Sequence, residues 1–190
     1  MSKGKIIVLS SPSGGGKSTI IGEILKQRPD YLYSVSVTTR ASRPNEKNGV
    51  HYSFVSREEF LQKVNSGEFA EWAEVHGDLY GTPKSTIQQA LAQGKVILMD
   101  LDVKGGRQLK ELYPQETVLI FVYPPSEEIL KERLRNRGDS EEEIQRRLQR
   151  AAWELELGNF YTYKVVNYKL QDTVKEIINI IENNNNSAEE

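Results

Sequence analysis

Cysteine is absent from the 190-residue chain, so neither disulfides nor thiolate-held metals can organise it. Histidine is almost as scarce: His51 and His76 are the only two. With nothing to complete a zinc site around them, both are expected to be structural or exposed. An excess of one charge is missing too, since 25 Lys and Arg face 27 Asp and Glu for a formal net charge of −2. That balance excludes a general nucleic-acid binder, because affinity for polyanions comes from clustered, uncompensated basic residues. No apolar run approaches the ~20 residues of a membrane span, and the short run after Lys3 and Lys5 is too brief for a secretory signal. Such a chain is expected to act in the cytoplasm on small molecules, with no membrane, nucleic acid or obligate protein partner.

What the chain does have begins at Ile6. An apolar strand, Ile6 to Leu9, breaks into Ser10-Ser11-Pro12-Ser13-Gly14-Gly15-Gly16-Lys17-Ser18-Thr19, and the pattern Ile20, Ile21, Ile24, Leu25 follows at helical spacing. Strand, glycine-rich turn, Gly-Lys-Ser-Thr and helix together read as a phosphate loop for a nucleoside triphosphate. The glycines let successive N–H groups turn toward the phosphates, Lys17 adds a mobile positive charge, and the Ser18 hydroxyl is placed to hold Mg²⁺. Residues Ser11 to Thr19 are therefore the expected triphosphate cradle. One position departs from the motif: Ser11 stands where its first glycine is usual.

Further apolar strands are expected at Val96 to Leu101 and Val118 to Tyr123, with helical segments between them, the order of a parallel sheet with crossover helices. The fold class is α/β, a P-loop core. Ser56 with Glu59, and Ser140 with Glu143, read as helix-opening caps, while Val174, Ile177, Ile178 and Ile181 form one buried helix face. Between the first helix and Val96 lies more chain than a crossover needs, and it is read as an inserted subdomain of short strands. The expected division is a core of residues 1–33, 91–125 and 152–182, an insertion at 34–90, a helical lid at 126–151 and a disordered tail at 183–190. Arg40 and Arg43, three apart in a loop, can converge on one dianionic phosphate. Arg133 and Arg137 share a helix face, as do Arg147 and Arg150 on the next helix. Asp100 ends a strand where phosphate-loop enzymes place an acidic residue toward Mg²⁺ or its waters.

The segments Ser34 to Pro44, Gly49 to Phe54, Glu71 to Thr82, Asp100 to Gly105 and Arg133 to Gly138, taken with the phosphate loop, strongly resemble guanylate kinase. The resemblance implies a nucleoside monophosphate kinase with ATP as donor, GMP as acceptor and Mg²⁺ as cofactor. It places Arg40 and Arg43 on the GMP phosphate with Ser36, Tyr52 and Tyr80, and sets Glu71 against the guanine N1–H and amino group. Thr82 falls on the guanine carbonyl and Asp102 near the amino group; Thr82, just before Pro83, can alternatively serve as a helix N-cap. Arg133, Arg137 and Arg147 fall in a lid that neutralises the transferring phosphoryl group with Lys17, and Arg150 falls outside that set. Asn45 replaces a usual glycine, mildly since Asn tolerates left-handed backbone. Tyr168-Lys169 replaces an acidic pair after Asn167, which leaves Asn167 as the adenine-side candidate. The alternatives from other classes are a catalytically inactive interaction module of the same fold and a P-loop kinase for another monophosphate.

Overall fold

The computed structural model describes residues 4–44, 46–75 and 77–186; the expectations for Asn45, His76 and residues 187–190 lie outside them. In chain order the elements are β1 (Lys5–Ser10), α1 (Lys17–Gln27), β2 (Leu32–Tyr33), β3 (Val37–Thr38), β4 (Ser53–Phe54), α2 (Arg57–Asn65), β5 (Phe69–Val75), β6 (Asp78–Pro83), α3 (Lys84–Ala92), β7 (Val96–Asp100), α4 (Val103–Leu112), β8 (Thr117–Tyr123), α5 (Glu127–Asn136), α6 (Glu141–Leu157), β9 (Tyr163–Val166) and α7 (Leu170–Asn186).

Five strands pair in the order β2-β7-β1-β8-β9, every pairing parallel. The near-continuous apolar strands follow from burial on both faces. Ile7, Leu9, Leu98 and Ile120 point to α1 and α7, against Ile20, Ile24, Val174 and Ile177. Their neighbours Ile6, Val8, Ile97 and Leu119 point the other way, against Ile87 and Ala90 of α3 and Leu109 of α4. Truncating one of these side chains, Ile7→Ala for instance, removes about 2–5 kcal/mol. The strand at Val96 and the one at Val118 lie where expected, and α7 buries Val174, Ile177 and Ile181 completely.

The insertion is a second sheet, β4-β3-β6-β5, covered by α2. The capping box at its start is complete: Ser56 Oγ accepts the Glu59 N–H at 3.1 Å, and Glu59 Oε2 accepts the Ser56 N–H at 2.8 Å. Phe60 of α2 stacks on Phe69 at 4.6 Å and meets Trp72 edge-on at 6.4 Å. Phe69 and Trp72 are an odd number of residues apart yet face the same way, because the β5–β6 register shifts between Phe69 and Glu71. That bulge reverses the alternation and turns Glu71 away from the Phe60 side.

Three boundaries differ from the expected division. The last strand of the second sheet ends at Pro83, and α3, expected within the insertion, packs Ile87 and Ala90 into the core. The lid edge at 151/152 falls inside α6, an unbroken helix to Leu157. Residues 183–186 continue α7 rather than belonging to a disordered tail. The alternation Tyr33, Val35, Val37 is also split: Tyr33 pairs with Leu98 in the core sheet, Val37 with Gly81 in the insertion.

Candidate functional site

The phosphate loop connects β1 to α1 as the sequence implies. Gly14 and Gly16 adopt φ of 89° and 95°, left-handed backbone that side chains resist. A Cβ on Gly16 would also lie 2.6 Å from Asn167 Nδ2. At Ser11 the hydroxyl completes the turn: Ser11 Oγ donates to Pro12 O at 3.2 Å, the carbonyl that also accepts the Gly15 N–H at 2.9 Å. Lys17 Nζ lies 2.7 Å from Asp100 Oδ1 and donates to Leu101 O at 3.2 Å. Ser18 Oγ donates to the other Asp100 oxygen at 3.4 Å. Asp100 is held over the loop by the parallel pairing that sets Leu9 opposite it. One hydroxyl and one carboxylate are the oxygen donors that suit Mg²⁺, which takes one or two side-chain ligands and fills its shell with phosphate oxygens and water.

Two clefts open from this point. The first, about 320 Å³, runs from Ser11, Ser13 and Lys17 past Asp100 and Asp102 to Ser36, Arg43, Tyr52, Tyr80 and Glu71, and its rim carries Arg137, Arg147, Arg150 and Glu154. The second, about 470 Å³, shares Lys17 and Arg137 and continues past Ser18, Thr19 and Arg133 to Asn136, Asn167, Tyr168 and Leu170. Arg40 lines a larger space of about 750 Å³ that adjoins the first cleft through Arg43, Tyr52, Tyr80 and Asp100.

At the far end of the first cleft, Glu71 is 7% exposed and Thr82, behind it, 1%. Thr82 Oγ1 donates to Glu71 Oε1 at 2.5 Å. Thr82 is not the N-cap of α3; Pro83 holds that position without a side-chain bond. Burial pushes the Glu71 carboxyl up to about 7, with the Asp102 charge adding to the rise and the Thr82 hydroxyl opposing it. Gly105 makes the approach of α4 possible, because a Cβ there would lie 2.9 Å from Glu71 Oε2. Asp102 lines the same cleft, with Oδ1 capping α4 through the Gly105 N–H at 2.9 Å.

The two arginines of the loop before β4 are organised by a residue that sequence reasoning missed. Glu46 accepts from Arg40 NH2 and from the Arg43 backbone N–H, both at 2.8 Å. The pairing lowers the Glu46 carboxyl below its ordinary range. Arg40 further donates to Ala41 O at 2.7 Å, and its guanidinium sits 5.3 Å from the Tyr52 ring and 5.7 Å from the Phe54 ring. Tyr52 meets Tyr80 edge-on at 6.0 Å, and burial raises the Tyr52 hydroxyl to about 12, so it remains a neutral donor. The Arg-x-x-Arg-x-x-Glu spacing was the available signal for Glu46.

The helical pair α5 and α6 brings its arginines onto the loop. Arg147 NH1 donates to Ser13 Oγ at 2.7 Å. Arg133 donates to Gly15 O at 3.2 Å and to Asn167 O at 3.3 Å. Arg150, left out of the lid set, lies on the rim of the first cleft, its Nε 2.9 Å from the buried carboxylate of Glu154. Their i,i+4 spacing on α6 was legible, but burial of Glu154 was not. Asn167, expected on the adenine side, is 5% exposed and works within the fold, Nδ2 donating to Gly15 O at 3.0 Å and Oδ1 accepting from Thr173 at 3.2 Å.

A family model described as guanylate kinase matches residues 3–184. A guanylate kinase from Carboxydothermus hydrogenoformans is 46% identical over 93% of this chain and 87% of the relative. One from Thermotoga maritima is 44% identical over 94% and 86%. The crystal structure of guanylate kinase from Anaplasma phagocytophilum superposes with a TM-score of 0.81 at 37% identity, covering 97% of this chain and 88% of that one. With the loop, the buried carboxylate and the two joined clefts in place, the chain belongs to the guanylate kinase family.

Proposed function

We propose that this nucleoside monophosphate kinase transfers the γ-phosphoryl group of ATP to GMP, giving ADP and GDP, with Mg²⁺ as cofactor and the cytoplasm as its setting. The observation that carries the reading is the continuity of the two clefts through Lys17 and Arg137, with a buried carboxylate at one end and the phosphate loop at the other. Guanine presents N1–H and an amino group that an ionised Glu71 can accept, whereas adenine offers an acceptor at N1 and leaves the carboxylate unmatched. Thr82 supports Glu71 and Asp102 stands beside it. Arg43, with Arg40 held by Glu46, takes the GMP phosphate together with Ser36, Tyr52 and Tyr80.

A GMP phosphate oxygen attacks the γ-phosphorus as the bond to the β,γ-bridging oxygen breaks, and ADP leaves with that oxygen. The acceptor is already a dianion above its second pKa of about 6, so no general base is needed. Rate then rests on alignment and on charge neutralisation by Lys17, Arg133, Arg137 and Arg147. Ser18 and Asp100 are the residues that would hold Mg²⁺, which when bound neutralises the donor phosphates and fixes their geometry. The helical pair α5 and α6 excludes water from the transfer.

The test is ADP release from ATP and Mg²⁺ with GMP, AMP, dTMP or no acceptor. GMP alone should support turnover; hydrolysis indifferent to GMP, as the sole activity, would reject the reading.

A further inference from the structure

Among the described residues, the far end of the second cleft carries few of the buried polar groups that a base-reading site needs. Strong discrimination between bases requires polar groups that are buried, so that a mismatched base leaves them unpaired. The buried polar side chain among the described residues of this wall, Asn167, has its amide held in place by the fold, one N–H donated to Gly15 O and Oδ1 accepting from Thr173. Thr19 and Asn136 are exposed, so water satisfies them whatever base is present. The acidic pair that the family resemblance would put after Asn167 is replaced by Tyr168 and Lys169.

What the wall offers instead is an aromatic face. Tyr168 is the one aromatic among the lining residues and its side chain leaves the residue 73% exposed. Its backbone is fixed, with the Tyr168 N–H on Val166 O at 3.0 Å and the Asn167 N–H on Tyr123 O at 2.9 Å. An exposed ring on a fixed backbone, in the wall that Leu170 also lines, is a stacking surface, and every base has a π-face to lay on it.

We propose that Tyr168 is the platform on which the donor's base stacks, and that the donor cleft accepts nucleoside triphosphates with little regard to the base. This rests on reading the second cleft as the donor site. Binding strength there comes from the phosphates on the loop, common to all donors, and from stacking, which favours purines over pyrimidines without reading their edges.

The experiment is calorimetry with the magnesium complexes of the β,γ-imido analogues of ATP, ITP and CTP, titrated with GMP in excess. Dissociation constants for the ATP and ITP analogues should agree within about tenfold, with the CTP analogue weaker by no more than about a further tenfold. Tyr168→Ala should weaken the ATP and ITP analogues by about tenfold and the CTP analogue by less, while Tyr168→Phe leaves all three unchanged. A preference for the ATP over the ITP analogue on the order of 10³ would overturn the inference, as would Tyr168→Ala affecting one analogue alone or none. Saturable binding of none of the three would overturn this inference and the donor assignment together. Donor binding without GDP formation from ATP and GMP would overturn only the transfer reading.

Discussion

The two clefts share Lys17 and Arg137 but end in opposite materials. One terminates in Glu71, 7% exposed with Thr82 sealed behind it; the other terminates in Tyr168, 73% exposed. A buried acceptor left without a donor loses about 1–3 kcal/mol or more, while an exposed one is simply hydrated. On the proposed reading, burial rather than the number of polar groups decides which of the two nucleotides is chosen by its base. The same burial lifts the Glu71 carboxyl to about 7, so the cleft proposed to be selective is also the one expected to respond to pH.

The largest perturbation strikes where the clefts join. Lys17→Met should lower kcat by about 10³-fold while GMP binding, measured by calorimetry, stays within about threefold. Wild-type turnover in that variant would remove Lys17 from the mechanism.

Glu71→Gln separates the clefts. It should lower kcat/KM for GMP by about 10²-fold and leave the KM for ATP unchanged; equal effects on both substrates would erase the distinction drawn between them.

A pH series sharpens it further. Guanosine, which has no phosphate to titrate, should bind up to about tenfold more weakly for each unit below pH 7, because its donors need the ionised carboxylate. In Glu71→Gln that slope should vanish. Stability carries the reverse sign. Between the ordinary value of 4.5 and the raised value of about 7, the folded protein holds more protons at Glu71 than the unfolded chain, so stability falls as pH rises through that window. Without nucleotide, Glu71→Gln should therefore melt higher than wild type at pH 8, with the gain fading below pH 5. A gain that grows on acidification would contradict the assignment.

The smallest effect concerns the wall rather than either base. Asn167→Ala removes the amide that ties Gly15 to Thr173 and should cost about 1–3 kcal/mol of stability by denaturant melts. Kinetically it should raise the KM for ATP while leaving the KM for GMP unchanged.

Much of this was legible in the residues. Ile6 to Thr19 is a local motif, so strand, turn and helix follow one another without long-range information, and the buried strands at Val96 and Val118 declare themselves by composition. Of the residues expected on the acceptor, Glu71, Tyr52 and Tyr80 came through resemblance and Arg40 and Arg43 through their spacing as well, and the fold gathers them around adjoining cavities. What stayed hidden depends on contacts between distant segments. The bulge that turns Glu71 toward Gly105 leaves no mark in the Phe69 to Val75 run. Glu46 stands at a telling spacing from Arg40 and Arg43, but its bonds to them are seen only in the fold, and Asn167 lines the second cleft while its amide is also tied to Gly15 and Thr173. Element ends were hidden for a related reason: α3 and α6 begin beside one unit and pack into another.

The most direct measurement of the central claim is the wild-type ratio of kcat/KM for GMP over AMP, with ATP as donor. A buried Glu71 that must be matched predicts a ratio on the order of 10⁴. AMP serving within about tenfold of GMP would mean that the acceptor base is not read by a sealed carboxylate at all.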